Sequence, residues 1–173
     1  MEYFKHETAD VSEKAEIGSG TKIWNYAQIR EGVKIGADCI LGKNVYIDSN
    51  VRIGNKCKIQ NNVSVFHGVT IEDGVFVGPH VCFTNDKNPR AIDESGNLKS
   101  ADDWDVSEIS VGYGVAIGAN STILPGVSIG EFALIGAGSV VTKDVASYNM
   151  VFGNPARVHG IVDKAGKLVK KTD

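Results

Sequence analysis

Residues 33–65 read VKIGADCILGKNVYIDSNVRIGNKCKIQNNVSV, and a large aliphatic side chain recurs in them at every sixth position. A second series of small or β-branched residues lies four positions after each large one. The large series runs unbroken from Val11 to Phe83 and returns from Val111 to Val141. An amphipathic helix repeats every 3.6 residues and a half-buried strand every two, so neither explains a period of six. The period identifies an internal repeat.

A unit of six residues is too short to bury its own apolar side chain, so it becomes stable only when copies of it stack. Three units make a triangular coil of about eighteen residues, which predicts an all-β fold, a parallel β-helix with strands about 4.8 Å apart. Both series should face the interior, where β-branched residues suit extended strands. Glycine often follows the large residue, and we expect it to provide a turn with positive φ there. The positions are Gly18, Gly36, Gly42, Gly54, Gly78, Gly112, Gly118, Gly130 and Gly136.

The repeat [Ile/Leu/Val]-Gly-x-x-small-x resembles that of the hexapeptide-repeat acyltransferases, from Val11 to about Arg157. The resemblance implies a left-handed parallel β-helix. It also implies a homotrimer with active sites between subunits. Exposed apolar groups on the flat faces of the prism, such as Trp24, Tyr26 and Phe76, are in keeping with subunit contacts.

The composition restricts the class of protein. The net charge of −3 lacks a basic stripe, so nucleic acid is not an expected partner. The N-terminus MEYFKHETAD has no apolar stretch typical of a signal peptide, and no apolar run is long enough to cross a membrane, so we expect a cytoplasmic protein. Three cysteines do not indicate a disulfide framework. Cys39 and Cys57 share one phase and should stack as buried, reduced thiols.

The chain divides into a repeat domain at residues 1–158 and a tail at 159–173. Residues 1–10 form a lead-in to the repeat. A polar insertion occupies about residues 84–110, where 28 positions separate Phe83 from Val111 and the repeat needs six, so about 22 residues are extra. Long loops on a regular scaffold are usually functional or disordered. The sequence of the tail predicts a β-hairpin that turns around Ala165 and Gly166, and an α-helix is the alternative.

The eighteen-residue coil determines which residues lie above one another. Glu31, Ser49, His67 and Asn85 form one column at a corner of the prism, and the adjoining column contains Arg30, Asp48, Phe66 and Thr84. The insertion leaves from this corner, directly after Asn85. If the insertion contains no full coil, the corner continues with residues 124–126 and 142–144. We therefore expect a histidine, an amide, an arginine and a long loop to meet at one edge.

Three segments resemble one branch of the family more closely: Lys58–Pro79 (KIQNNVSVFHGVTIEDGVFVGP), Phe83–Ala91 (FTNDKNPRA) and Gly153–Val158 (GNPARV). Members of that branch use acetyl-CoA to N-acetylate nucleotide-linked 3-amino sugars, carried by UDP or dTDP, in surface-polysaccharide biosynthesis. The resemblance does not choose between the two nucleotides. Asn25 departs from the pattern, because many relatives have histidine after Lys-Ile-Trp.

The reaction suggests roles for the residues at this corner. A neutral sugar amine attacks a thioester carbonyl, so the enzyme must orient two substrates and accept a proton. His67 is the candidate for the proton, because imidazole titrates near neutral pH, and Asn85 is the candidate for holding the amine or the sugar. Arg30 and Arg90 are candidates for the diphosphate or a uronate, since a guanidinium pairs with such anions in bidentate fashion. Further candidates for substrate binding are Glu31, Asn62 and Asp86.

Coenzyme binding is implied by the resemblance alone. It assigns acetyl-CoA to the C-terminal coils, with no metal required. The candidate residues are Gly118, Ala119, Ala137, Lys143, Asn154 and Arg157.

Two other functions fit a β-helix of this kind. Zinc carbonic anhydrases share the fold but need three converging histidines, whereas His67 and His80 occupy different columns and His6 and His159 lie outside the repeat. A non-catalytic scaffold or ligand-binding protein is the other alternative, although it leaves the insertion without a role.

Overall fold

A computed structural model describes residues 2–100 and 103–172. The chain is all-β and winds through three sheets, which form the sides of a prism. Sheet A contains, in order, β1 (Phe4–Lys5), β4 (Lys22–Ile23), β7 (Ile40–Leu41), β10 (Lys58–Ile59), β13 (Phe76–Val77), β16 (Ala116–Ile117), β19 (Leu134–Ile135), β21 (Asn149–Phe152), β22 (Arg157–Val162) and β23 (Leu168–Lys171). Sheet B contains β2 (Asp10–Val11), β5 (Gln28–Ile29), β8 (Tyr46–Ile47), β11 (Ser64–Val65), β14 (Cys82–Phe83), β17 (Thr122–Ile123) and β20 (Val140–Val141). Sheet C contains β3 (Glu16–Ile17), β6 (Lys34–Ile35), β9 (Arg52–Ile53), β12 (Val69–Ile71), β15 (Ile109–Val111) and β18 (Ser128–Ile129).

The strands of the coils, β1 to β21, pair in parallel, mostly with a register of one coil. Ile23 pairs with Leu41, and Leu41 pairs with Ile59, so each partner lies eighteen residues further along the chain. This confirms the predicted parallel β-helix.

The N-terminal lead-in is part of the prism, which corrects the expected start at Val11. Strand β1 pairs with β4 in the same register, so Lys5 lies beside Ile23. Lys5 occupies the position that a large aliphatic residue holds in later coils. The apolar series alone therefore does not reveal this first coil, although its backbone pairs as in the later coils.

The interior consists of the two series of residues that the repeat defines. The largest fully buried side chains include Phe83, Leu41 and Ile59. Cys39 and Cys57 are buried free thiols, as expected. Their sulfurs stack between coils, because the Cys57 backbone N–H lies 3.4 Å from Cys39 Sγ and the Cys57 thiol donates to the Glu72 carbonyl at 3.1 Å.

The glycines that follow the large residues do not have positive φ, which makes that expectation wrong. Positive φ occurs two residues later in the turn, as at Asn44 (56°) and Asn62 (60°), and asparagine tolerates it. The glycines are needed for a different reason. A Cβ on Gly42 would lie 2.8 Å from the backbone nitrogen of Asn61 and 3.0 Å from the carbonyl carbon of Gln60. Neighbouring coils approach too closely there for a side chain.

The insertion leaves the coil and returns to it without adding a turn. Cys82 pairs with Thr122, forty residues away, which is one coil of eighteen plus the 22 extra residues predicted. We call residues 84–108 the flap. Its ends meet in an antiparallel bridge between Asp86 and Val106, and a second bridge joins Ile92 and Leu98. The flap therefore has internal structure.

The C-terminal tail forms the predicted hairpin. Strand β22 pairs antiparallel with β21 and then with β23, and Gly166 has a φ of 76° in the connecting turn. Strand β22 begins at Arg157, before the expected boundary, and the hairpin continues sheet A.

We predict that Gly42→Ala destabilises the protein by about 1–3 kcal/mol, because the added methyl group overlaps backbone atoms of the next coil. Chemical denaturation measures the change in the free energy of unfolding. The matched control is Gln60→Ala, which puts alanine at the equivalent position one coil later, where a side chain is already present. The control is expected to change stability by less than about 0.5 kcal/mol. Equal effects of the two substitutions would contradict the explanation.

Candidate functional site

A pocket of about 600 Å³ lies where the flap leaves the prism. We call it the amide pocket, and its lining residues are Phe66, Thr84, Asn85, Asp86, Lys87, Pro89, Trp104, Leu124, Pro125 and Thr142. The coil supplies Phe66, Thr84 and Leu124 from consecutive turns of one corner, as the eighteen-residue register predicts. The flap supplies the opposite wall. The walls are mainly apolar, as is usual for pockets that bind small molecules.

Asn85 is the buried polar side chain of this pocket. Its residue surface is only 9% exposed, and its Nδ2 atom has no hydrogen-bond partner among the described residues. Its backbone carbonyl accepts a hydrogen bond of 2.9 Å from the Ser107 N–H, which fixes Asn85 between coil and flap. A buried donor without a partner costs about 1–3 kcal/mol. The Asn85 amide therefore keeps an unused donor at the lining of the pocket.

His67 lies one coil from Asn85, two residues beyond the paired Val65 and Phe83, as predicted. It is half-buried, but it does not line the amide pocket. Its Nδ1 atom lies 2.8 Å from the Ser49 carbonyl oxygen. Because a carbonyl oxygen only accepts, Nδ1 carries the proton in this contact and Nε2 is left as a hydrogen-bond acceptor.

The Asp48 carboxylate hydrogen-bonds to both residues of the contact between His67 and Ser49. Asp48, which is 8% exposed, accepts the Ser49 N–H at 2.8 Å through Oδ1 and the His67 N–H at 3.3 Å through Oδ2. Arg30 lies 3.6 Å from the same carboxylate and partly compensates its charge. Asp48 therefore restrains both the histidine backbone and the carbonyl that its ring contacts.

Arg30 and Glu31 pair with each other and do not line the amide pocket. Arg30 donates to both carboxylate oxygens of Glu31, at 3.0 and 2.9 Å, and to the Tyr46 hydroxyl at 3.4 Å. The hydrogen bonds with Glu31 raise the pKa of the guanidinium above its ordinary value and lower the pKa of the Glu31 carboxyl. The charge of Arg30 is thus already matched within the chain.

Asn62 lies at another corner, in a ladder of exposed turn residues. Asn44 donates to Asn62 at 3.0 Å, and the Asn62 amide nitrogen lies 3.4 Å from the His80 ring. The structure therefore separates Asn62 from the amide pocket, whereas it brings Asp86 to its wall and places Arg90 just beyond it.

The residues proposed for coenzyme binding fall into two groups. Lys143 and Arg157 line a small pocket of about 210 Å³ beside β20 and β22. Gly118 and Ala137 stack directly on each other at the corner between sheets A and B. Ala119 accepts the Gly138 N–H at 2.8 Å at that corner, and Asn154 follows Gly153, whose carbonyl accepts the Val140 N–H at 3.0 Å.

Sequence reasoning assigned no role to several residues of the pocket. Phe66 and residues 124–126 were placed at the correct corner, but the coil register alone does not show that they form an apolar wall. Trp104 lies in a part of the flap that has no repeat, so no column indicated its position. An isolated tryptophan in a polar insertion was the available signal.

Two negative findings apply to residues 2–100 and 103–172. No cluster of three or more His, Cys, Asp or Glu side chains in them is arranged to hold a metal ion. They also contain no helix that is long and apolar enough to span a membrane.

Two family models match the chain. The model described as bacterial transferase hexapeptide (six repeats) matches residues 14–49 and 50–85. The model described as hexapeptide repeat of succinyl-transferase matches residues 32–67 and 108–143. Together they cover more than half of the 173 residues.

A curated relative is the dTDP-3-amino-3,6-dideoxy-alpha-D-galactopyranose 3-N-acetyltransferase of Aneurinibacillus thermoaerophilus, which is 50% identical over 60 residues. The match includes 35% of this chain and spans about a third of the relative's length, 31%. A solved galactoside acetyltransferase in complex with coenzyme A has a TM-score of 0.62 and 25% identity, covering 82% of this chain and 72% of that chain. A hexapeptide-repeat acetyltransferase from Vibrio cholerae O1 biovar eltor, complexed with acetyl coenzyme A, has a TM-score of 0.56 and 28% identity, covering 76% of this chain and 72% of that chain.

We predict that Asn85→Leu leaves the free energy of unfolding unchanged or raises it by about 1 kcal/mol, because it removes a buried donor that has no partner. The control is Thr21→Val in the core. The Thr21 hydroxyl donates to the Gly36 carbonyl at 2.8 Å and accepts the Cys39 N–H at 3.0 Å, so its loss should cost about 1–3 kcal/mol. Thermal and chemical denaturation measure both. A loss of stability in Asn85→Leu as large as that in the control would make the amide structural.

Proposed function

We propose, from the premise that this chain belongs to the hexapeptide-repeat family of bacterial transferases, that it is an acetyl-CoA-dependent N-acetyltransferase. Its acceptor would be the 3-amino group of a nucleotide-linked amino sugar. The similarity to a dTDP-3-amino-sugar N-acetyltransferase supports the acceptor class, and the likeness to two solved acetyltransferases bound to coenzyme A or acetyl coenzyme A supports the donor.

The observation that carries this proposal is the buried, unpartnered amide of Asn85 in an apolar-walled pocket. A scaffold protein gains nothing from such a group, because it reduces stability. A binding site gains specificity from it, because a ligand with the matching acceptor satisfies the donor and a ligand without it leaves the donor bare. Asn85 would hold the sugar so that its amine faces the thioester.

The chemistry requires the amine nitrogen to bond to the acetyl carbonyl carbon while the bond from that carbon to sulfur breaks. The amine loses one proton, and the thiolate of coenzyme A accepts one. Holding two large substrates in a reactive geometry supplies much of the rate enhancement. The apolar walls around Asn85 contribute by excluding water, which would otherwise compete for the amide and for the developing oxyanion.

His67 is our candidate for the proton relay. With Nδ1 donating to the Ser49 carbonyl, the free Nε2 atom is the acceptor that this role needs. His67 does not line the amide pocket, so it would receive the proton through a bridging group such as water. Asp48 would act as a positioning residue for this ring.

The C-terminal coils are our proposal for the coenzyme site. Lys143 and Arg157 line one small pocket and supply two cations for the nucleotide phosphates of the coenzyme. The stacked Gly118 and Ala137, with Ala119 and Asn154 nearby, would form the wall for the pantetheine arm. We further propose a cytoplasmic homotrimer in which this arm lies between two subunits.

A panel of UDP- and dTDP-linked 3-amino sugars, assayed with acetyl-CoA by release of free thiol, tests the proposal. We expect turnover with at least one 3-amino sugar, and Asn85→Ala should lower kcat/KM about 10²- to 10³-fold, the effect of removing a preorganised polar donor. Asn55→Ala serves as the matched control, since that amide accepts the Ala37 N–H at 2.9 Å at a different corner. Thiol release from none of the sugars would refute the activity, and similar losses in both variants would refute the role of Asn85.

If His67 relays the proton, His67→Ala should lower kcat by about 10²- to 10⁴-fold with little change in KM. Lys58→Ala, an exposed sheet A residue, controls for surface effects. A kcat in His67→Ala close to that of the control would show that the proton leaves by another route.

A further inference from the structure

A second cavity adjoins the amide pocket. Its volume is about 420 Å³, and we call it the flap chamber. The two cavities share Asn85, Asp86, Pro89 and Trp104 as lining residues. Arg90 and Lys99 line the flap chamber but not the amide pocket. A ligand that fills both would place one end at an amide and the other at two cations.

Within the described residues, neither cation of the flap chamber forms an ion pair, whereas Arg30 is held by Glu31. Lys99 has a longer-range attraction to the Asp103 carboxylate, whose pKa it helps to lower. Arg90 donates one hydrogen bond, of 2.9 Å, to the adjacent Pro89 carbonyl, which leaves most of its donors available. The carboxylate of Asp86 also lines the chamber, but its Oδ1 accepts the Asn88 N–H at 2.8 Å. Two cations without a close ion pair in one cleft favour a polyvalent anion.

Trp104 lines both cavities. The residue is 49% exposed, so a large aromatic face is open to a ligand. Asp103, the residue before Trp104, accepts the Ser100 N–H at 2.6 Å and the Ser100 hydroxyl at 2.9 Å. These hydrogen bonds lower the pKa of the Asp103 carboxyl, so Asp103 stays ionised at neutral pH. An exposed indole next to a hydrogen-bonded residue offers a stacking surface for a planar ring.

We propose that the flap chamber is the nucleotide subsite: Arg90 and Lys99 bind the diphosphate, and Trp104 stacks on the nucleobase. The proposal rests on the proposed function and specifies how the nucleotide part of that substrate is recognised. The sugar then runs along the shared residues Asp86 and Pro89 to the amide of Asn85. Trp104 and Lys99 are specificity-determining residues in this arrangement, and they act on binding of the nucleotide before acetyl transfer.

Calorimetry on the full-length protein without acetyl-CoA tests the anion site, with UDP, dTDP and inorganic pyrophosphate as probes. We expect a nucleoside diphosphate to bind, and Arg90→Gln to weaken its binding about 10- to 100-fold, the usual effect of losing a hydrogen bond to a charged group. Lys99→Gln should weaken it in the same direction. The matched control is Arg52→Gln, an exposed arginine of strand β9 outside both cavities, which should change affinity less than about twofold.

The same titration separates base stacking from charge. UDP or dTDP should bind more tightly than pyrophosphate, and Trp104→Ala should remove most of that difference while leaving pyrophosphate binding unchanged. Trp104→Phe keeps an aromatic face and should retain the preference. Trp24→Ala is the control, since that exposed tryptophan packs on Phe4 in the first coils, with ring centroids 5.5 Å apart.

Several outcomes would overturn the proposal. Absence of UDP and dTDP binding at millimolar concentration would do so, as would equal losses in Arg90→Gln and Arg52→Gln. An error in the proposed nucleotide subsite can be distinguished from an error in the proposed acetyltransferase activity. If thiol is released from a 3-amino sugar but Arg90→Gln and Trp104→Ala leave KM unchanged, the activity stands and the nucleotide subsite is wrong. If nucleotide binding follows the expected pattern but no sugar is acetylated, the chamber stands and the acetylation is wrong.

Discussion

The close stacking of one coil on the next is the constraint on which the rest of this protein depends. Most strands contain only two residues, so none is stable alone, and each is held by backbone hydrogen bonds to the coils on either side. The Gly42 N–H, for example, donates to the Ile59 carbonyl at 2.8 Å. Where glycine follows the large residue, as at Gly42, there is no room for a Cβ, and a residue with positive φ two positions later completes the turn. The repeat satisfies both conditions at once.

The flap exploits that rigidity. Because its ends meet at Asp86 and Val106, the coil resumes in its original register, and the columns of the corner continue from Thr84 to Leu124. A cavity is thereby built between a fixed scaffold and an added loop. The amide of Asn85 sits at this junction, where the scaffold can hold a buried polar group without a partner because the stacked coils supply stability elsewhere. Such a location is where binding sites concentrate on regular folds.

Charge is distributed differently in the scaffold and the flap. On the coil, Arg30 is matched by Glu31 and Asp48, and this cluster restrains the backbone of His67. On the flap, Arg90 and Lys99 form no close ion pair with a described residue, and they line the same cavity as an exposed indole. Arginine thus stabilises the corner of the coil at position 30, whereas Arg90 of the flap has donors available for an anion. In the proposed reaction, the coil would support proton transfer and the flap would recognise the nucleotide.

Much of this architecture follows from the sequence by itself. The six-residue period determined the coil, the buried series, the stacking of Cys39 on Cys57 and the juxtaposition of His67 and Asn85, because periodicity encodes backbone register directly. It did not determine that Lys5 begins the first coil, since a lysine interrupts the apolar series there, nor why glycine follows the large residues, since that depends on distances between coils.

Only the tertiary structure decided which polar residues face a cavity. Arg30 and Arg90 are indistinguishable as sequence candidates, and their partners, Glu31 in one case and no described carboxylate in the other, separate them. The position of Trp104 was likewise set by the fold of the flap. The physical reason is that a repeat specifies the path of the backbone locally, whereas the pairing and exposure of a side chain depend on groups that the chain brings together from distant positions.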